Sequence, residues 1–254
     1  LIILGRDCLR EHWLSIDGQR IFARVSKTMP QHPGPAVVLV HGLGVSSRYM
    51  VPLARELALV YPTFAPDLPG FGRSSRPRTV LAIRELARWL GVWLEHMGIQ
   101  RPVLIGNSMG CQVVAETENV SAAVLLGPTM DPSGGVLGQV GRLVMDQFRE
   151  PLSLIPLQAF DYLHNGPIRT VRTFRRALAH GMIERVSRLT VPTLVIRGEN
   201  DPIVSAWFVR QLVLRMPHAE LQTIAGAGHA LNYNSPREVA GMVDQFICRG
   251  FSIA

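Results

Sequence analysis

Lysine is almost missing from this chain. Of its 26 basic residues only one, Lys27, is a lysine, and the rest are arginine. The net charge is nonetheless +7, which on its own points to an anionic partner. The arginines are scattered, however, with no basic run of five and no recognised binding motif beside them, so no nucleic-acid partner is expected. Cysteine is also scarce. Cys8, Cys111 and Cys248 are odd in number and far apart, which excludes a disulfide framework or a cysteine-based zinc site. No apolar stretch approaches the roughly 20 residues that span a bilayer. The opening tetrapeptide Leu1–Leu4 is shorter than the roughly 7–15-residue apolar core of a secretion signal. A cytoplasmic protein with no membrane partner is the expectation. No internal repeat or low-complexity tract occurs.

What is present is one large domain's worth of apolar residues, 47% of 254, enough for a single α/β core. Residues 12–26 read as a hairpin turning at Asp17-Gly18. The runs at 36–40 and 62–68 read as short, fully apolar strands of a sheet covered on both faces, and 102–106, 122–127, 193–198 and 220–226 as the strands that follow. Val80, Ile83, Ala87, Leu90, Leu94 and Met97 recur at steps of three and four, and Gly98 follows, which predicts a helix over 79–97. Helical patterns also cover about 204–215 and 236–248. Strand and helix alternate, as in a mostly parallel sheet with helices on both faces. The rhythm breaks between 129 and 190, where no strand is legible and two stretches look helical. This interval is expected to be a helical cap, leaving 1–128 and 191–254 as the core domain.

Four segments carry chemistry. Gly106-Asn107-Ser108-Met109-Gly110 follows a strand-like run and precedes a helix-compatible one. A nucleophile on a sharp strand-to-helix turn takes a strained backbone, and only small residues two positions away avoid collision. His41-Gly42-Leu43-Gly44 follows the strand at 36–40. Acyl transfer needs two backbone N–H groups aimed at the developing oxyanion, and Leu43 and Met109 are placed to supply them. Gly42 and Asn107 are expected to touch substrate beside them. His41, just before a tight loop, reads as a structural hydrogen-bonding residue. Asp201, in the stretch Arg197–Val204, sits past a strand and could orient a histidine. Glu199 and Asp131 compete for that role. His229, in a small-residue loop after the last strand, completes the order Ser, Asp, His.

These segments, together with Asp67-Leu-Pro-Gly-Phe-Gly-Arg-Ser74, resemble the α/β-hydrolase superfamily across essentially the whole core. The resemblance implies an α/β-hydrolase fold with Ser108 as nucleophile, His229 as general base and then acid, and Asp201 as its orienting acid. It implies no metal and no organic cofactor. The serine at the turn separates the chain from relatives with aspartate there, the haloalkane dehalogenases and soluble epoxide hydrolases. The GNSMG wording is similar to meta-cleavage-product hydrolases, which cut carbon–carbon bonds, but their histidine is usually followed by Trp and here by Ala230. The expected activity is therefore hydrolysis of a small-molecule carboxylic ester through an acyl-enzyme. Carbon–carbon hydrolysis, a cofactor-free haloperoxidase-like reaction and a ligand receptor on a hydrolase scaffold are the alternatives. Oligomeric state stays open.

Three expectations concern finer detail. The interval is mostly apolar, with Leu143, Val144, Phe148, Tyr162 and Phe174 among its residues, which suits a hydrophobic ester. Arg169, Arg172 and Arg176 share one helix face, which reads as solvated; the sharper alternative is that one of Arg142, Arg149 and Arg175 binds a substrate carboxylate in a bidentate pair. Only nine residues separate Gly110 from the next strand-like run, so either the helix after Ser108 is short or a loop near Glu116–Asn119 is missing. Cys111 has no base beside it and is expected to be a packed thiol.

Overall fold

A computed structural model of the chain describes residues 8–27, 34–131, 135–147 and 150–251. Phe148, Arg149 and the opening tetrapeptide lie outside them. The hairpin forms as expected: β1 (Leu9–Ile16) and β2 (Gln19–Ser26) pair in antiparallel register around Asp17 and Gly18, both at positive φ. β3 (Val37–Val40), β4 (Thr63–Pro66), β5 (Val103–Asn107), β6 (Ala122–Leu126), β7 (Thr193–Gly198) and β8 (Ala219–Ile224) complete an eight-stranded sheet in the order β1-β2-β4-β3-β5-β6-β7-β8. Pairing is antiparallel up to β4 and parallel from there to β8.

Both faces of this sheet are covered, which explains why its central strands lack a polar alternation. Successive side chains point to opposite faces. Val38, Val40 and Leu104 pack on one side with α2 (Ile83–His96), α3 (Met109–Glu116) and α8 (Ala206–Val213). Val37, Leu39 and Ile105 pack on the other with α1 (Val51–Leu57) and α10 (Pro236–Phe251). Sequence patterning does not reveal α1, because its seven residues are too few to show a period. Pro52 in its first turn is the readable sign.

The helix predicted over 79–97 begins four residues late. Ala82 is extended (ψ 162°), and the Glu85 carboxylate accepts its N–H at 2.6 Å, closing the first turn there. Helix α8 likewise starts where Ser205 accepts the Phe208 N–H. The helix after Ser108 is short: α3 has eight residues, and Thr117–Ser121 connect it to β6. Between β6 and β7 no strand occurs among the described residues. The chain instead forms α4 (Gly135–Gln147), α5 (Leu154–Asn165), α6 (Pro167–Leu178) and α7 (Met182–Val186).

Candidate active site

Ser108 occupies the turn between β5 and α3 with φ 55° and ψ −119°. An L-residue rarely adopts this conformation, and holding it costs on the order of 1–3 kcal/mol. Its surroundings enforce it. The Ser108 N–H donates to the Leu126 carbonyl at 2.9 Å. A Cβ on Gly106 would lie 2.6 Å from the Gly110 and Cys111 backbone, and one on Gly110 would strike the Val40 carbonyl. The two glycines that box Ser108 are thus sites where β3, β5 and α3 touch through backbone alone.

Asp201 and His229 come from loops after β7 and β8. The Asn200 N–H donates to the Ala227 carbonyl at 2.9 Å, joining the two loops. Asp201 is oriented independently of the histidine, because its Oδ1 accepts the N–H groups of Ile203 and Val204 at 2.8 and 3.0 Å. Its Oδ2 lies 2.8 Å from His229 Nδ1. A carboxylate there selects the tautomer with the proton on Nδ1. His229 Nε2 is buried without a partner among the described residues. His229 and Ser108 both line one cavity of about 380 Å³. Burial by itself would lower the His229 pKa, but the carboxylates of Asp201, Asp146 and Glu150 outweigh it and raise the value to about 9.

The competing acids lie elsewhere. Glu199 accepts the Gly226 N–H at 2.9 Å, and Asp131 pairs with Arg142 at 3.3 Å and accepts from Ser205 Oγ at 2.5 Å. His41 is fully buried. Its Nδ1 donates to the Gly42 carbonyl and its Nε2 accepts the Leu68 N–H. Burial lowers its pKa, so it stays neutral as a brace of the loop. Cys111 is buried in contact with the Gly106 and Leu126 carbonyls, and burial pushes its thiol far above the ordinary value.

Leu43, Gly42 and Asn107 line the same cavity, and Met109 is the first residue of α3, where a helix leaves N–H groups without internal acceptors. A Cβ on Gly42 would sit 3.2 Å from Ser108 Cβ, so the loop after β3 lies directly against the Ser108 turn.

Residues of α5 that no local motif marks hold this loop from above. Asn165 Nδ2 donates to the Gly44 carbonyl at 2.8 Å while its Oδ1 accepts the Gly72 N–H at 3.0 Å. Ser46 Oγ donates to Asp161 Oδ2 at 2.7 Å. A Cβ on Gly44 would collide with the Tyr162 ring. A signal for this does exist. Gln158, Asp161 and Asn165 recur at steps of three and four, a polar stripe along one helix face, and all three are buried. The usual reading of such a stripe is a solvated face, and here it turns inward.

Much of the remaining wall comes from α4, α5 and α6, including Leu143, Val144, Tyr162 and Phe174, with Asp146 and Gln158 as polar members; Val45, Tyr49 and Ile203 complete it. Arg142 and Arg175 are not among the described residues that line this cavity, and Arg149 lies outside the described residues. Among the described residues no three His, Cys, Asp or Glu side chains gather as metal ligands, and no helix is long and apolar enough to cross a membrane.

Comparison with known proteins agrees with this fold. A sequence profile described as "Alpha/beta hydrolase family" matches residues 37–242. The chain is 27% identical to the uncharacterized hydrolase YugF of Bacillus subtilis, over 85% of this chain and 92% of the relative. It is also 27% identical to a pimeloyl-[acyl-carrier protein] methyl ester esterase of Xanthomonas campestris, over 84% of this chain and 95% of that one. Among solved structures, a bacterial membrane phospholipase A superposes with a TM-score of 0.81 at 20% identity, covering 96% of this chain and 87% of that one. A thermophilic esterase from Thermogutta terrifontis gives 0.76 at 20% identity, covering 95% and 99%. From the profile match over most of its length, together with the sheet order, the chain belongs to the alpha/beta hydrolase family.

Proposed function

We propose that this protein hydrolyses carboxylic esters through an acyl-enzyme. The observation that carries the reading is the His229–Asp201 pair, with the free Nε2 of His229 in the same cavity as the strained Ser108. His229 Nε2 takes the Ser108 proton as Oγ attacks the ester carbonyl. The Leu43 and Met109 N–H groups hold the oxyanion. The alcohol leaves with the proton from His229, and water releases the acid by the reverse path. Residues 129–190 act as a cap over a core of 1–128 and 191–254. The esterase relatives support the ester as substrate class, and the mostly apolar cavity wall supports a hydrophobic acyl or alcohol group.

The test is turnover of p-nitrophenyl butanoate as a function of pH. A general base must be neutral in the free enzyme. With its pKa raised to about 9, His229 is protonated at pH 7. The kcat/KM is therefore expected to climb about tenfold per pH unit toward a plateau near that value. A flat profile down to about pH 6.5, the ordinary histidine value, would rule out this assignment, and no turnover at any pH would rule out the esterase reading. The same shift makes a stability prediction of fixed sign. A pKa raised on folding stabilises the fold fully below about 6.5, and that contribution is lost as pH rises through the folded value.

Asn165 serves as a positioning residue for the oxyanion loop. Asn165→Asp keeps the acceptor for Gly72 but replaces the donor to Gly44 with a second acceptor. It is expected to lower kcat about 10- to 100-fold, with KM changed less than about threefold, since a misaimed donor penalises the transition state more than the ground state. A variant that folds, as judged by circular dichroism, and keeps wild-type kcat would show the contact to be structural only.

A further inference from the structure

The outer surface of the α4–α6 segment has an unusual composition. Fifteen large hydrophobic side chains are exposed among the described residues, and ten of them fall between Leu137 and Val171. Over 135–178 the described carboxylates, Asp146, Glu150 and Asp161, are all buried. Arg172, Arg175 and Arg176 are exposed. The surface is therefore apolar and cationic, with no exposed acid among its described residues. Large exposed apolar side chains in such number on one segment, rimmed by polar residues, mark an interaction site.

The location of the patch matters as much as its composition. Val140 and Val144 on α4 and Val171 on α6 are exposed and also line the cavity that holds Ser108, so they form its rim. One turn back along each helix stand Leu137, 87% exposed, and Ile168, 70% exposed. Arg172 and Arg175 lie four and seven residues after Ile168, on the same side of α6. Exposed aliphatic side chains of α4 and α6 thus flank the cavity mouth, with arginines further along α6.

We propose that this face docks on an anionic lipid surface, with the mouth of the cavity turned toward the lipid. Leu137 and Ile168 protrude instead of forming a groove, which suits a fluid acyl layer better than the fixed relief of a protein partner. Arginines adjoining such a surface can lay their stems along the acyl boundary and keep their heads at the phosphates. The chain's net charge of +7 matches a negative leaflet. Docking is peripheral and needs no membrane-spanning helix. It goes beyond the catalytic reading above and does not depend on it.

Sedimentation with vesicles tests the proposal, using the Ser108→Ala protein so that no lipid is cleaved. The vesicles are phosphatidylcholine alone or with about 30% phosphatidylglycerol, the anionic lipid whose surface potential is at issue. Binding to the mixed vesicles is expected to be at least about tenfold tighter than to the neutral ones, and to weaken in high salt as screening shortens the reach of charge. Arg172→Glu with Arg175→Glu should remove the preference for anionic lipid. Leu137→Asp with Ile168→Asp should weaken binding to both kinds of vesicle. Both pairs should keep the circular-dichroism spectrum and melting temperature of the parent, which shows that they fold. Absence of binding to the mixed vesicles, or binding that neither pair alters, would overturn the proposal. So would concentration-dependent self-association abolished by the Leu137/Ile168 pair without any lipid binding, which would make the face a subunit interface. Binding to an acidic protein such as an acyl carrier protein, with none to lipid, would overturn it equally.

Discussion

Replacing Ser108 with alanine is expected to lower kcat for p-nitrophenyl butanoate by about 10⁴–10⁶-fold while leaving KM within a few-fold. The loss is large because no other group replaces the oxygen. Asn107 offers an amide, Met109 a thioether, and the Cys111 thiol is buried with its pKa pushed far up. Residual rate would come from the oxyanion donors and the cavity alone. The backbone supplies an independent check. Alanine leaves the strained conformation at φ 55° in place, whereas glycine relieves it. Ser108→Gly should therefore be as inactive as Ser108→Ala but melt at a higher temperature. An alanine variant with more than about one hundredth of wild-type kcat would end the nucleophile assignment, since loss of a triad nucleophile costs far more than that.

Asp201→Asn is expected to cost about 10³–10⁴-fold in kcat. The Asp201 Oδ1 accepts two backbone N–H groups and so must remain an oxygen in the variant. The new NH₂ then occupies the Oδ2 position and faces His229 Nδ1, 2.8 Å away in the parent. Two donors cannot meet there. The imidazole would shift its proton to Nε2, leaving no lone pair for Ser108. The pH profile should change as well. With the Asp201 charge gone, burial pulls the His229 pKa back down, so whatever activity remains should reach its plateau at lower pH than the parent. An Asp201→Asn protein with near-parental kcat and an unmoved profile would mean that another acid serves His229. Glu199 and Asp131 are poor candidates, being engaged with Gly226 and Arg142.

Both predictions concern residues that local sequence patterns mark. Ser108, Asp201 and His229 stand in short motifs, each in the turn or loop that follows a strand. A turn that must expose one side chain over close-packed backbone dictates its own neighbours, so Gly106 and Gly110 mark it within five residues. The α/β order is legible for a similar reason, because buried parallel strands need continuous apolar runs. Helix boundaries are less so. The start of α2 at Ile83 depends on one carboxylate, Glu85, closing on Ala82.

The amino-acid order by itself determined the alternation of strand and helix, the nucleophile turn and the loop positions of the candidate acid and base. These follow from local sterics and from periodicity, which act over a few residues. Only the tertiary structure decided which acid meets His229, which side chains roof the cavity and what grips the loop that carries Leu43. Asn165 reaches Gly44 and Asp161 reaches Ser46 across more than a hundred residues of chain. Such contacts arise when two distant elements bury polar groups that must satisfy one another, and no short stretch of sequence records the partner. The same holds for the apolar rim of α4 and α6. A valine or an isoleucine looks alike in sequence whether it faces the sheet or the solvent, and packing alone set the direction.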